Sequence, residues 1–112
     1  MRTLALFCLA ALAGCGGVSV GPGSRSVGGA CQTDANCDHR CVINGHFPNG
    51  LCTLTCGSTA DCPVGSACVD DSGGICEILC SAVSSCAQFG SLYQCMPRDS
   101  LPNGQVSVCR VP

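Results

Sequence analysis

The cysteines are the residues of this chain whose number and spacing point most directly to chemistry. The 112-residue sequence contains 14 cysteines, and all but Cys8 and Cys15 follow residue 30 in three similar blocks of four. Each block opens with C-x5-C, and neighbouring blocks join through C-x3-C.

Thiols clustered in this way form disulfides or bind zinc. The C-x2-C spacing, typical of structural zinc sites and of thioredoxin-like redox sites, does not occur in the sequence, so we expect disulfides and keep zinc as the weaker alternative. The expected disulfide cysteines are Cys31, Cys37, Cys41, Cys52, Cys56, Cys62, Cys68, Cys76, Cys80, Cys86, Cys95 and Cys109.

The sequence leaves the pairing of these cysteines open, since four cysteines allow three connectivities in each block. Bonding Cys56 to its neighbour Cys62 would close a loop too small to organise a hairpin. We therefore expect the first cysteine of each block to bond the third and the second to bond the fourth, which ties the opening loop to both strands. Exchange of partners between blocks at CTLTC and CEILC is the alternative.

A turn signal precedes the last cysteine of each block, in PNGLC, SGGIC and PNGQVSVC. Asn-Gly and Gly-Gly supply the positive φ that hairpin turns need. The expected fold is therefore small and disulfide-rich, with three tandem four-cysteine modules of short β-hairpins and loops and little helix. We call residues 31–55 module 1, residues 56–79 module 2 and residues 80–112 module 3. The predicted strand pairs are 41–43 with 51–54, 67–69 with 75–78, and 92–96 with 106–111.

The beginning of the chain has the layout of an export signal. Arg2 precedes ten apolar residues, Leu4 to Ala13. As a helix these would span about 15 Å, half of a bilayer's hydrocarbon core, which is too short for a membrane span. The following Leu12-Ala13-Gly14-Cys15 resembles the lipobox of bacterial lipoprotein precursors. This resemblance implies a signal peptide over residues 1–14, cleavage before Cys15, and lipidation of Cys15 by fatty acids such as palmitate.

The resemblance also implies a place in the cell. Lipid chains on Cys15 would anchor the protein to a membrane surface. Gly16 stands where an Asp tends to retain Gram-negative lipoproteins at the inner membrane, so the expected location is the cell envelope, at the outer membrane. Residues 15–30, rich in Gly and Ser, then predict a lipidated cysteine followed by a flexible tether.

The cysteine region from Cys31 to Cys109 is similar to the short tandem cysteine-rich repeats of bacterial surface lipoproteins. The openings CQTDANC and CGSTADC also resemble the Dickkopf N-terminal domain and the whey acidic protein four-disulfide core. Two departures limit the likeness. The chain lacks the adjacent cysteine pair of the whey acidic core, and its third block loses the Asp and lengthens both later loops. We therefore take an expected architecture from the resemblance to these families, and we do not carry over their activities.

Other polar residues carry weaker signals of catalysis or metal binding. His39 and His46 have the residue type of ligands or bases, but the surrounding Gly and Pro residues favour a solvated surface loop. Asp70 and Asp71 stand beside a turn, yet they do not follow the EF-hand order, which favours a polar hairpin tip over a calcium site. No G-x-S-x-G motif is present. We therefore expect no enzyme activity, no metal, and no cofactor besides the covalent lipid.

Charge and aromatic content restrict the partners. The chain has five Lys plus Arg, seven Asp plus Glu and a net charge of −2, so no basic surface for nucleic acid is expected. Its aromatic residues beyond the signal are Phe47, Phe89 and Tyr93, which predict no sizeable core.

Three functions are compatible with these features. The favoured hypothesis is a lipid-anchored envelope protein whose disulfide-rigidified loops display a surface to a protein partner in the envelope or outside the cell. An alternative in another class is a protease inhibitor, with a reactive loop in 42–51 or 96–108. A purely structural envelope protein is the third.

Overall fold

The computed structural model describes residues 19–112, so the predicted signal peptide and the lipidation site Cys15 lie outside the described residues. The strands are β1 (Arg40–Asn44), β2 (Phe47–Thr53), β3 (Ser66–Val69), β4 (Ile75–Ile78), β5 (Gln94–Asp99) and β6 (Gln105–Arg110). Within the described chain, helical structure is limited to the 3-10 segments Asp34–Asn36, Thr59–Asp61 and Val83–Phe89. The protein is thus small, disulfide-rich and built from hairpins, as the sequence predicts.

Each module contains one antiparallel hairpin, formed by β1 with β2, β3 with β4, and β5 with β6. The register sets the third cysteine of each block opposite the fourth, as in Cys68 opposite Cys76. Neither of these two bonds the other. Each bonds a cysteine of the opening loop instead, so the loop is fixed to both strands of its hairpin.

The turn of module 1 differs from the prediction, whereas those of modules 2 and 3 lie at the predicted glycine signals. The chain reverses at Asn44–Phe47, where Asn44 Oδ1 accepts hydrogen bonds from the N–H groups of His46 (2.8 Å) and Phe47 (3.1 Å). The predicted turn residue Gly50 lies inside β2 with φ 83°. A Cβ there would collide with the carbonyl oxygen of Cys31, and Gly74 has the same relation to Cys56. These glycines therefore allow the opening loop to approach the closing strand.

Side chains of the opening loops explain why modules 1 and 2 resemble each other. The residue before the second cysteine accepts two backbone hydrogen bonds: Asn36 from Gln32 and Thr33, and Asp61 from Gly57 and Ser58. A second side chain, Asp34 or Thr59, accepts the N–H of the third cysteine. Module 3 has Ser85 and Val83 at these positions. Its opening loop instead forms the longer 3-10 helix Val83–Phe89.

The modules are joined by a repeated backbone pairing. The segment entering each module lies beside that module's closing strand: Gly28 and Gly29 beside Cys52, Leu54 and Thr55 beside β4, and Leu79 beside Val108. The first cysteine then donates its N–H to the closing strand or to Gly74, the residue before β4, at 2.9 to 3.1 Å in all three modules. Residues 28–30 thus occupy the place that a C-x3-C junction has in the later modules.

The predicted flexible tether is wrong for residues 19–30, which we call the N-terminal segment. Gly28 donates to Cys52 O at 2.9 Å, and Cys52 N–H donates to Gly29 O at 2.8 Å. The side chain of Ser24 accepts two backbone hydrogen bonds within a tight loop, and Val27 is fully buried. The glycines that suggested flexibility instead permit close packing. Residues 15–18 of the predicted tether lie outside the described residues.

The hydrophobic core is shared among the modules, which is how so small a chain buries one. It joins Val27 of the N-terminal segment to side chains of all three modules, including Phe47, Ile75 and Tyr93, and to disulfide sulfur atoms. Thr53 Oγ1 donates to Cys76 O at 2.6 Å across the boundary between modules 1 and 2. At the other end of the chain, Val111 N–H donates to His46 O, which brings module 3 back to module 1.

Candidate binding cleft between the modules

The twelve cysteines form six disulfides within the module boundaries. The bonds are Cys31–Cys41, Cys37–Cys52, Cys56–Cys68, Cys62–Cys76, Cys80–Cys95 and Cys86–Cys109. This is the expected pairing of first with third and second with fourth, and no bond crosses a C-x3-C junction in residues 19–112. Three sulfur atoms in each module lie within 4.8 Å of one another. Because a disulfide sulfur atom is not a thiolate, these cysteines stabilise the modules as crosslinks and do not offer thiolate ligands to a metal.

The two histidines lie in different environments. His39 is exposed, as expected. The expectation of a solvated His46 is wrong, because its ring is half-buried and its Nδ1 lies 2.8 Å from the carbonyl oxygen of Val111. His46 therefore helps to hold the end of module 3 against module 1. The structure does not bring the two histidines into one site.

The two aspartates of the module 2 turn also differ. Asp70 is exposed, in keeping with a polar hairpin tip. Asp71 is mostly buried and forms an ion pair with Arg110 of module 3, with 3.1 Å between Oδ2 and Nη1. Asp71 thus belongs to the polar hairpin tip, as expected, but it pairs with a cation 39 positions away in the chain, which the residues around it did not indicate.

The two stretches proposed for an inhibitory loop are mostly strand. Residues 42–51 include the pairs Val42 with Leu51 and Asn44 with Phe47. Residues 96–108 pair continuously from Met96 with Val108 to Asp99 with Gln105. The loop between the strands consists of Gly45 and His46 in the first stretch and of residues 100–104 in the second.

A cleft of about 170 Å³ lies where the modules meet. Its deeper wall is formed by apolar side chains from all three modules, namely Phe47, Leu51, Ile78, Phe89, Tyr93 and Cys109. Its rim is formed by exposed residues, namely Pro22, Ala30, Asn49 and Gln88. The described lining residues are all uncharged. Disulfides fix the fold within each module, while backbone pairing and the shared core hold the modules together, so the cleft is largely pre-formed, as is usual for binding sites.

The aromatic wall of the cleft comes from the part of module 3 that departs from the repeat. Gln88 and Phe89 end the long 3-10 helix, and Tyr93 directly precedes β5. The rings of Phe89 and Tyr93 have centroids 5.9 Å apart and planes tilted by 39°. The hydroxyl of Tyr93 accepts a hydrogen bond from the backbone N–H of Asn49, and burial raises the pKa of Tyr93. Tyr93 therefore stays neutral at physiological pH, with its own O–H available to donate.

A buried charge cluster, the Arg110 cluster of Asp71, Glu77 and Arg110, lies behind the cleft. The guanidinium carbon of Arg110 is 5.7 Å from the centroid of Phe47, a cleft residue. Arg110 is also 3.5 Å from Glu77, whose side chain has no exposed area. Burial is the main cause that raises the pKa of Glu77 to about 8; Arg110 lowers it and Asp71 raises it further. At neutral pH Glu77 is therefore mostly protonated.

Sequence reasoning missed both the cleft and the Arg110 cluster. The lengthened loops of the third block, with both Phe89 and Tyr93, were the available sign of a specialised module. Glu77 in CEILC was another, since it is an acidic residue inside an otherwise apolar strand. Nothing in the sequence paired it with Arg110, because that contact depends on how modules 2 and 3 stack.

A shallow depression adjoins the cleft on module 1 and shares Ala30 and Asn49 with it. Ile43 in this depression is 53% exposed. Together the cleft and the depression form one continuous face that combines an apolar centre with an uncharged polar rim.

Across residues 19–112, no helix has the length and apolar character needed to cross a membrane. No protein-family model, curated protein or solved structure matches this chain.

Proposed function

We propose that this protein is a lipid-anchored protein of the bacterial cell envelope that presents the inter-module cleft as a binding surface. The support for an anchor is the sequence, where LAGC follows a charged start and a short apolar run. The support for binding is one structural observation. The N-terminal segment and the three disulfide-bonded modules enclose an apolar cleft that remains open at an uncharged rim.

The physical argument for binding rests on where the apolar surface lies. An accessible concave apolar site is a usual feature of ligand binding. The disulfides within each module and the core shared between modules order the site before a ligand binds, which lowers the entropy cost of binding. A protein serving only as a spacer would have no use for such a site.

The anchor is tested by growing cells with an alkyne-bearing fatty acid. The wild-type protein should carry the label and sediment with the outer membrane, whereas Cys15→Ser should lose the label. Label that persists on Cys15→Ser would show that the lipid site is assigned wrongly.

The binding surface is tested by placing a photoreactive amino acid at Gln88, on the cleft rim, in intact cells. The matched control places it at Val64, which is 98% exposed and does not line the cleft. We expect position 88 alone to give one discrete crosslinked product, or to be protected from crosslinking by a bound small ligand. Equal crosslinking from both positions would contradict specific binding at the cleft.

A further inference from the structure

The space inside the cleft matches roughly one ring. Its volume is about 170 Å³. A buried apolar cavity of about 150 Å³ is known to accept benzene. A fused two-ring compound or a flexible acyl chain would exceed this space and extend past the rim.

The composition of the lining selects a neutral occupant. Phe47, Leu51 and Ile78 form an apolar wall, and the described lining residues carry no charge. Moving an ion into such a site without a partner costs several kcal/mol. The tilted pair of Phe89 and Tyr93 offers both a ring face and a ring edge, and aromatic rings favour offset or tilted contacts of this kind.

A polar group at the edge of the cleft adds a preference among neutral rings. The hydroxyl of Tyr93 already accepts the Asn49 N–H, so its remaining O–H can donate to an oxygen on the ligand. The amide of Gln88 at the exposed rim can either donate or accept. A ring hydroxyl would satisfy these groups, whereas a bare hydrocarbon ring would leave them to water.

We infer that the cleft binds a neutral single-ring phenol, with the ring packed against Phe89 and Tyr93 and its hydroxyl hydrogen-bonded to Tyr93. This inference rests on the proposed function, because it names the ligand chemistry of the same binding surface. The phenol is either a free small molecule or the side chain of a tyrosine on a protein partner. Both present the same ring and hydroxyl.

The test uses the full lipidated chain in lipid nanodiscs and follows para-fluorophenol by fluorine NMR, with protein-free nanodiscs to correct for partition into lipid. We expect saturable binding with a dissociation constant on the order of 1 mM, as suits a small, partly open site. The charged analogue para-fluorobenzoate should bind at least tenfold more weakly. Signal that rises without saturation, or equal binding of the benzoate, would overturn the inference.

Two variants show whether the binding is in the cleft. Ala30→Leu adds bulk at the exposed rim and should weaken para-fluorophenol binding at least tenfold, whereas Val64→Leu, away from the cleft, should leave it unchanged. Tyr93→Phe removes only the hydroxyl. It should weaken para-fluorophenol about tenfold and leave fluorobenzene unchanged, since a hydrogen bond is worth about that factor. A free-thiol assay on each variant checks that all six disulfides have formed.

N-acetyl-tyrosine amide separates the two sources of the phenol. Binding as tight as that of para-fluorophenol supports a tyrosine side chain, while binding of the free phenol alone supports a small molecule. If neither binds saturably, the inference is wrong. Specific crosslinking from position 88 would then still support the proposed function. If the protein made in cells carries no lipid but still binds phenol saturably, the inference stands and the proposed lipid anchor is wrong.

Discussion

Arg110 and Glu77 are buried against each other between modules 3 and 2, with 3.5 Å between Nη1 and Oε1. Asp71 lies 3.1 Å from the same nitrogen of Arg110. Arg110 is thus the cation in contact with both carboxyl groups, and Arg98 has a smaller effect that also lowers the pKa of Glu77. Glu77 is the more deeply buried, so it is the one that stays neutral. Since Arg110 also lies over Phe47, one side chain joins all three modules behind the cleft.

Stability should fall as the pH rises because of Glu77. Burial and Asp71 raise its pKa from 4.5 to about 8 in the folded protein. Between these values the folded protein holds a proton that the unfolded chain has released. The free energy of unfolding therefore decreases with rising pH, by at most about 1.4 kcal/mol per pH unit. This contribution is fully present below the unfolded pKa and is lost as the pH approaches 8.

Denaturant unfolding of the wild type and of Glu77→Gln at several pH values between these two pKa values measures this effect. Glutamine mimics the protonated carboxyl, so Glu77→Gln should be less sensitive to pH across that range. Identical pH profiles for the two proteins would show that Glu77 does not titrate as described.

Loss of Arg110 should destabilise the protein far more than loss of an exposed ion pair. Arg110→Met leaves Asp71 without its cation in a mostly buried position, which we expect to cost about 3 kcal/mol. The control is Asp38→Asn, which breaks the pair of Asp38 with Arg25 at 3.3 Å, where both side chains are more than half exposed. Exposed pairs contribute less than about 1 kcal/mol. Comparable losses of unfolding free energy in the two variants would contradict a stabilising role for the Arg110 cluster.

The N-terminal segment should behave as part of the folded protein. Val27→Ala removes fully buried methyl groups and should cost about 2 kcal/mol, whereas Val64→Ala should have no measurable effect. Hydrogen exchange provides a second measurement. The amide of Gly28, which donates to Cys52, should be protected in the folded protein. Exchange of Gly28 at the rate of an unstructured peptide would restore the picture of a flexible tether.

The disulfide that borders the cleft should matter more for binding than one that does not line it. Cys86–Cys109 closes a separation of 23 residues, and Cys56–Cys68, which does not line the cleft, closes 12. In the chain-entropy model bonds of this kind each contribute about 3 kcal/mol, with the longer loop slightly favoured. Replacing Cys86 and Cys109 with alanine should also weaken para-fluorophenol binding, because Cys109 lines the cleft. Replacing Cys56 and Cys68 should reduce stability while binding by the remaining folded protein is retained.

Local features of this fold were predictable from sequence, and contacts between modules were not. The cysteine spacing and the Gly-containing turns near residues 74 and 104 predicted the disulfide pairing and the strands to within a few residues. The turn at Asn44 was missed because Asn44-Gly45 and Asn49-Gly50 carry the same signal, and only the approach of Cys31 to Gly50 distinguishes them. The ordering of residues 19–30 depends on pairing with Cys52, for which the glycines gave no visible pattern.

The cleft, too, was predictable in its local features and not in the contacts between modules. Its aromatic residues lie in the block whose loops depart from the repeat, and that departure was visible in the sequence. Their proximity to Phe47 and Leu51 arises only when module 3 returns to module 1 through Val111 and His46. Such long-range stacking leaves no periodic signal in the chain.

The most direct test of the account is to compare crosslinking from position 88 in intact cells among three otherwise identical proteins: the parent, Ala30→Leu and Val64→Leu. The parent and Val64→Leu should give the same crosslinked product in similar yield, whereas Ala30→Leu, with the cleft filled at its rim, should lose most of it. Undiminished crosslinking by Ala30→Leu, with all six disulfides formed, would contradict the claim that the inter-module cleft is the binding surface.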